Sequence, residues 1–576
     1  MTAVDVDVTR SAVLDDAHVG DIRGALGTIR LDDHAARTTV SAKFKTLLAI
    51  VGPGLIVMVG DNDAGAFSTY GQAGQVYGTR LLWTLLLLIP VLYVNQEMVL
   101  RLGAVTGVGH ARLILARFGK FWGTFEVIDL FLLNGLTIVT EFIGITLAAS
   151  YLGVPKVVAV VFAAAIIIAT VFTGSFRAFE RIAMVFCAGS LLLIPLYLMA
   201  HPAGSVMMSG FDTPDLPGGA STGGMAAVML LVIGIVGTTI APWQLFFQQS
   251  YVIDKRITPR FMRYEKTDLW IGIVIVVVGA AALMGTTAAA FSHSSVSFTD
   301  SAGLARGISA YAGHLAGAVF AVALLDAAII GAFAVSLSSA YAIGDVLGMK
   351  HSLHRGVGQA KGFYALYAAL IAGAATIVLI PGSPLGLITE GVQVLAGVLL
   401  PAATVFLLML CNDKSVLGPW VNSRKTNAFT GSVIAVLITL SVVLTASVMY
   451  PAITATQIFV IMGGCAAVAI GIGGFALLND RQPAAATAVT EDAGLDARVA
   501  ADIDADLDAI AATSQDAEGS LPATVDKLSW RMPPLSELSA PAITGARRIG
   551  LIGLRGYLAI AMVMVIVKIV LLAVAH

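Results

Sequence analysis

The chain has 576 residues, of which 57% are hydrophobic and only 12% charged. Soluble domains carry about 25% charged residues, so this composition belongs to a polytopic membrane protein whose first partner is the lipid bilayer. A formal net charge of −2, with no dense basic stripe, excludes a nucleic-acid partner.

Residues 1–43 are polar and lack the apolar core of a signal peptide, so they are expected to stay in the cytoplasm as a mostly mobile tail. A weak amphipathic patch at Ile22–Leu31 is its one feature. A span needs about 20 apolar residues. On that rule the predicted segments lie near 46–77, 80–104, 122–149, 157–174, 179–200, 225–252, 268–291, 315–346, 362–380, 387–411, 429–450 and 454–478. A polar, Ala/Asp-rich stretch from 479 to 548 reads as a cytoplasmic linker, with Trp530–Leu535 as a docking patch. A thirteenth segment, 551–575, falls in the closing region 549–576. Lys and Arg concentrate in the loops after even-numbered segments, as at Lys255–Lys266 and Lys350–Lys361. The positive-inside rule then puts every even segment's end in the cytoplasm of a multi-pass cell-membrane protein.

Segment 1 is interrupted by Gly60-Asp61-Asn62-Asp63-Ala64-Gly65-Ala66. An ionisable residue at bilayer depth costs roughly 2.5–3.5 kcal/mol, which makes it a functional candidate by default. Asp63 is expected to bind a cation in an unwound helix; the plainer alternative is a helix cap. Asp61 and Asn62 either line the pathway or cap the second half-helix. Segment 6 carries Gly237-Thr238-Thr239-Ile240-Ala241-Pro242-Trp243-Gln244, where proline removes a donor and Thr239 and Gln244 supply replacement polar contacts. Trp243 is expected to pack and shape the pocket.

Segments 1 and 6 enter from opposite sides, and each opens a block of five. An all-α 5+5 inverted repeat follows, over 44–200 and 225–411, with segments 11 and 12 (429–478) and the last helix added. In segment 3, Asn134, Thr137 and Glu141 share one helix face and are expected to line the pathway, Glu141 meeting a hydrated ion through water. Gln393 in segment 10 either joins them or makes an interhelical bond. Thr69, Tyr70 and Gln72 are gate candidates. Structural pairing is the plainer reading of Asp326, and solvation that of Gln96 and Glu97 at a membrane face. Cys187, Cys411 and Cys465 lie in apolar runs without metal-ligand spacing, so neither a disulfide framework nor a cofactor is expected.

At the two interruptions the chain resembles the NRAMP family of divalent-metal transporters, a resemblance that implies a LeuT-like fold. The similarity runs from about Gly52 to Asp413 and includes Gly52-Pro53-Gly54, Gln72-Ala73-Gly74, Glu141-Phe142-Ile143-Gly144 and Gln393 before Pro401. Anchored on Gln72-Ala73-Gly74, Asp63 matches the family's metal-binding aspartate, and the resemblance implies carbonyl ligands from Gly60 and Thr238. The family's asparagine ligand is Ala66 here, its methionine Ala241, its histidine Trp243, and its helix-3 aspartate Ile138. This pattern resembles the NRAMP-related magnesium transporter branch.

A thioether suits transition metals, whereas Mg²⁺ prefers carboxylates and retained waters. The expectation is therefore Mg²⁺ transport with Mn²⁺ tolerated, by alternating access and without proton coupling. The alternatives are a proton-coupled Mn²⁺/Fe²⁺ carrier or a divalent-cation channel. No obligatory protein partner is evident, and the lack of a nucleophile–base pair or a His/Cys ligand cluster argues against an enzyme.

Overall fold

Apolar runs of this length become helices because only a helix satisfies its own backbone inside a bilayer. The computed structural model describes residues 13–217, 224–292, 298, 300–381, 385–450, 453–479, 527–528, 530–538 and the single positions 553, 556 and 563. Among the described residues, nine helical stretches are long and apolar enough to cross a membrane, or ten if one bent pair is a single span.

The first block holds α1 (Val40–Ile50), α2 (Pro53–Asp61), α3 (Ala64–Tyr77), α4 (Trp83–Thr106), α5 (His110–Phe118), α6 (Lys120–Tyr151), α7 (Lys156–Val171), α8 (Phe176–Gly189) and α9 (Leu193–Ala200). After the short α10 (Gly204–Asp212) come α11 (Gly224–Thr239), α12 (Pro242–Asp254), α13 (Met262–Phe291), α14 (Ser301–Ala312), α15 (His314–Leu347), α16 (Lys361–Leu379) and α17 (Leu385–Cys411). The one-turn α18 (Lys414–Leu417), α19 (Arg424–Met449) and α20 (Ala455–Asn479) follow.

The two blocks share a plan. A broken helix (α2–α3, then α11–α12) precedes a single span, and a short helix (α5, then α14) leads into the longest one (α6, then α15). The packing shares it too: α13 lies against both halves of the first broken helix, α4 against both halves of the second, and α6 along α15. Asn134 meets Ser339 while Glu141 meets Gly331, so α6 and α15 run antiparallel, as an inverted repeat requires. The fold is an all-α membrane protein with two interrupted helices and added C-terminal helices.

The chain forms two compact units: Met1–Ala466 with Arg531–His576, which holds both blocks, and Ala467–Trp530. The described part of the second is the end of α20 with residues 527–528 and 530. Of the expected linker 479–548, the described residues include one 3₁₀ turn, Leu535–Glu537. The expected thirteenth span at 551–575 lies outside the described residues, apart from three isolated positions.

Two interruptions depart from the predicted segments. The 46–77 run breaks twice, because α1 meets α2 at 54° before the polar break is reached. Gly52 sits at φ 156°, where a side chain would also collide with Glu180, and Pro53 then starts α2. Asp268 accepts from the N–H groups of Gly52 (3.0 Å), Gly54 (2.8 Å) and Leu55 (3.3 Å), placing an anion on the positive end of that half-helix. Lys255 Nζ ties the same corner to Glu180 (2.6 Å) and the Val51 carbonyl (2.8 Å). The second interruption splits the 179–200 segment by a 3₁₀ turn at Ser190–Leu192.

The largest departure is the N-terminal tail. Residues 13–39 are not free; they form a strap across the end of the bundle that carries the basic loops. Ile22 and Ile29 pair in a two-strand hairpin, β1 (Ile22–Arg23) and β2 (Thr28–Ile29), and both are buried with Ala25. Asp15 bonds Arg355 (2.6 Å) and the His351 N–H (3.1 Å). His18 Nε2 lies 3.1 Å from the His351 carbonyl and 3.6 Å from Asp254. Arg256 donates to the carbonyls of Ala17 (2.7 Å) and Asp21 (3.1 Å), and Ala25 N–H donates to Glu180. These partners of the strap lie from 155 to 340 residues away, which no local periodicity announces.

Burial opposes the charge on His351, yet the Asp345 carboxylate at 2.9 Å and the facing Met349 carbonyl raise its pKa to about 9. Asp15 and the His18 ring are its other neighbours. A raised histidine pKa contributes stability that is fully present below pH about 6.5 and is lost as pH rises through about 9. Protection factors of residues 13–39, which divide out the intrinsic rise of amide exchange with pH, should therefore be high at pH 6 and fall between pH 8 and about 10, and His351→Gln should remove that fall. Arg355→Ala should speed exchange of the same segment at every pH.

Candidate functional site

Two helices end in mid-bundle, and each end follows from its sequence. Asp63, in extended backbone at ψ −172°, caps α3: its Oδ1 accepts from Ala66 N–H at 2.9 Å. Ala64 N–H, which a continuous helix would aim at the Gly60 carbonyl, donates to Glu141 Oε2 instead at 3.2 Å. The Gly60 carbonyl thus loses its usual i+4 donor. At the second break, the residue four beyond Thr238 is Pro242, which has no N–H to give. Ala241 adopts φ −90°, ψ 147°, so the chain is extended where α11 hands over to α12.

Asp63 and Glu141 meet opposite Gly331 of α15, where a Cβ would stand 2.8 Å from Glu141 Oε2 and 3.0 Å from Asp63 Cβ. Gln393 lies on Gly65, in the first turn of α3, so closely that a side chain there would strike its amide. Trp243 packs its ring edge near Gly60, within 3.5 Å of where a Cβ would be. Ser338 Oγ donates to the Trp243 carbonyl at 2.9 Å. The two broken helices are also joined directly. Tyr70 hydroxyl lies 2.6 Å from Thr239 Oγ1, which itself donates to the Ile235 carbonyl. Gln244 Nε2 donates to Asp61 Oδ1, and Gln96 Nε2 donates to Gln244 Oε1 at 3.0 Å.

Asp61, Asp63 and Glu141 are 1%, 3% and 0% exposed. None of them takes part in an ion pair among the described residues, and Asp61 Oδ2 and Glu141 Oε1 have no hydrogen-bond partner. Burying a carboxylate without a counter-charge is costly, so the arrangement favours a cation or a proton at this point. Among the described residues no three His, Cys, Asp or Glu side chains converge as a resident metal cage.

Several expectations change. Glu141 sits against Asp63, both opposite Gly331. Asn134 donates to Ser339 at 2.9 Å, and Thr137 donates to its own helix at Leu133 (3.0 Å), so neither joins the centre through those bonds. Asn62 turns its amide to the Val276 carbonyl on α13 (3.2 Å). Ala66 and Ala241 line the two breaks as small apolar positions, both buried. Gln96 is not solvated: it is 0% exposed and bridges the second broken helix to α4. Glu97 pairs with Arg101 (3.1 Å) and Lys266 (2.8 Å). Asp326 lays its carboxylate over Gly189 of α8 instead of on a basic side chain, so the expected structural pair is not seen among the described residues. Gln96 was legible as a polar residue inside an apolar run; Gly331 and Ser338 left no local signal.

The model of the natural resistance-associated macrophage protein-like family matches residues 54–447. A divalent metal cation transporter MntH of Erwinia tasmaniensis is 26% identical over 440 residues, covering 71% of this chain and 97% of its own. One of Burkholderia ambifaria, of the same name, is 27% identical over 323 residues, covering 53% of this chain and 69% of its own. The crystal structure of the Eremococcus coleocola manganese transporter, bound to an aromatic bis-isothiourea compound, superposes with a TM-score of 0.59 at 19% identity. It covers 78% of this chain and 98% of that one, and supports the fold. With its family model matched over more than half its length, the chain belongs to the natural resistance-associated macrophage protein-like family.

Proposed function

We propose that this protein carries a divalent metal ion across the membrane by alternating access, using the pocket between its two broken helices. The observation that carries this reading is the union of freed backbone carbonyls with buried, uncompensated carboxylates at one point. Asp63 is the principal ligand, with Glu141 beside it. The carbonyls of Gly60 and Thr238 supply neutral oxygens, and Gln393 reaches in from α17. Asp61 is held by Gln244 and couples the first break to the second instead of contacting the ion. Tyr70 and Thr239 form a second tie between the same two helices. Asn62, Asn134 and Thr137 take positioning roles through their bonds to neighbouring helices, and Trp243 closes the wall beside Gly60. The negative-inside membrane potential, worth about 2.3 kcal/mol per charge per 100 mV, is sufficient drive for uptake without a coupled ion.

The metal is the finer question. The relatives described above are named for divalent cations in general or for manganese. Those names fit the proton-coupled Mn²⁺/Fe²⁺ alternative better than a Mg²⁺ preference. What supports Mg²⁺ is the donor set itself. Ala66 and Ala241 stand where the family places an amide and a thioether, leaving a pocket of oxygen ligands with space for retained waters. We therefore keep Mg²⁺ with Mn²⁺ tolerated as the reading drawn from the pocket, and the manganese carrier as the reading drawn from the relatives.

Proteoliposome uptake separates them. Asp63→Ala should lower divalent uptake at least ~10-fold, as expected for removing a charged ligand; unchanged flux would sink the site assignment. Equal Mg²⁺ and Mn²⁺ gradients should give Mg²⁺ entry without acidification of the lumen. Mn²⁺ entry accompanied by protons, with Mg²⁺ excluded, would decide for the alternative. Ala241→Met restores a soft ligand and should raise the Mn²⁺-to-Mg²⁺ uptake ratio by about ten-fold, read by competition in the same vesicles.

A further inference from the structure

The helix that leads into the first break, α1, is amphipathic, with an apolar side turned away from the protein. Thr46, Ala49 and Ile50 are buried against the rest of the chain. On that side α1 packs on α13, and Gly24 and Gly27 of the strap lie so close to Ala49 that a side chain at either would collide. Val40, Phe44, Leu47 and Leu48 recur at i, i+4, i+7 and i+8 and fall on the opposite side of the helix. Val40 is 83% exposed and Phe44 58%. Lys43 and Lys45 fall on the two flanks where the sides meet, and both are exposed. α1 holds no acidic residue, and neither lysine joins an ion pair among the described residues.

The level of α1 relative to the bilayer follows from α13. That helix changes from Arg263-Tyr264-Glu265-Lys266-Thr267-Asp268 to Trp270-Ile271-Gly272-Ile273-Val274 across a single leucine. Trp270 is 42% exposed and stacks on Tyr93 with ring centroids 4.8 Å apart; Ile271, Val274 and Val278 are exposed beyond it. An aromatic pair between a charged turn and an exposed apolar stripe marks a membrane–water interface. Asp268, which holds the N–H groups of Gly52, Gly54 and Leu55, is two residues from Trp270, about 3 Å along the helix. The end of α1 therefore sits at the level of that aromatic pair, and the 54° bend turns α1 out of the line of α2. An exposed apolar strip at this depth meets lipid. It lies at the basic end of the bundle, which the positive-inside rule assigns to the leaflet carrying anionic lipid.

We propose that α1 is an interfacial helix that docks on an anionic leaflet. Val40, Phe44, Leu47 and Leu48 enter the boundary between headgroups and acyl chains. Lys43 and Lys45 lay their stems along that boundary and hold lipid phosphates with their ammonium groups. Charge complementarity selects this partner: two cations flank the apolar strip, and nothing acidic on the helix opposes them. The docked helix continues through Val51 and Gly52 into α2, whose far end carries the Gly60 carbonyl and Asp61. Membrane charge thereby fixes one end of the first broken helix, from outside the transport pocket.

The test is hydrogen exchange of the purified full-length protein in nanodiscs of phosphatidylcholine, alone or with about 30% phosphatidylglycerol. No ion and no transport step enters the measurement, so its failure and that of the carrier reading are distinguishable. Phosphatidylglycerol should raise the protection of residues 40–50 about ten-fold, each lysine supplying roughly five-fold or less, with α15 unchanged as the internal reference. Lys43→Gln combined with Lys45→Gln should remove most of that gain, and Phe44→Ser should lower protection in both lipid mixtures. Equal protection in the two nanodiscs, or a gain that survives in the double lysine variant, would overturn the proposal. So would protection in neutral detergent micelles equal to that in phosphatidylglycerol, which would make the protein itself the cover of this face. Protection that rises with protein concentration would also overturn it, by assigning the face to a second copy of the chain.

Discussion

The architecture rests on a rule about backbone groups. Within a bilayer every N–H and C=O must find a partner in the protein, so a helix that stops halfway leaves polar groups that something else must satisfy. This chain stops two helices in the interior. The first stops because Asp63 caps a new helix and Glu141 takes the N–H that would have continued the old one. The second stops because Pro242 has no N–H to offer Thr238. What is released in each case is a backbone carbonyl. Packing then follows: Gly331, Gly65 and Gly237 are the places where neighbouring helices approach these breaks too closely for a side chain.

Charge pairing elsewhere sets the centre apart. At the basic end, buried or nearly buried charges are matched: Lys255 with Glu180, Arg117 with Asp413, Arg101 with Glu97, His351 with Asp345. The strap extends that pattern by adding Asp15 and the carbonyls of Ala17 and Asp21 to loop arginines. Unmatched buried charge destabilises a fold; Glu265 at the start of α13 also lacks a partner for either oxygen, and the exception that bears on function is the cluster of Asp61, Asp63 and Glu141. The exception lies where the backbone is also incomplete. Two independent deficits at one place, of positive charge and of hydrogen-bond donors, are both relieved by a cation.

Much of this was legible in the sequence because membrane helices obey strong local rules. Apolar length gave the spans, Asp63 and Pro242 gave the breaks, and basic loops gave the alternation. What remained hidden has physical causes. The strap's stability comes from partners far away in sequence, such as Asp15 with Arg355, so its composition alone reads as mobile. The 54° bend at Gly52 depends on Asp268 and Lys255 arriving from α12–α13 and the loop between them. Gln96 looked like a surface residue because it neighbours Glu97, yet adjacent positions on a helix face different ways: one is buried on Gln244, the other reaches Lys266. Asp326 invited the guess of a paired carboxylate, yet its carboxylate lies over Gly189 of α8, a neighbour that no local pattern announces.

Family membership and donor chemistry bear on different links of the chain from sequence to function. The family scaffold fixes where the breaks meet and hence where a metal would sit. It does not fix which metal, because that depends on two or three side chains the fold tolerates in several forms. On our reading Ala66 and Ala241 change the ligand set while the main-chain geometry is held: Ala241 is extended before Pro242, and Ala66 donates its N–H to Asp63. A scaffold that holds its geometry through main-chain bonds is free to vary the side chains that choose the ion. The relatives' names are accordingly a weaker guide to selectivity here than to transport, and the hard, thioether-free pocket is the feature on which our magnesium reading rests.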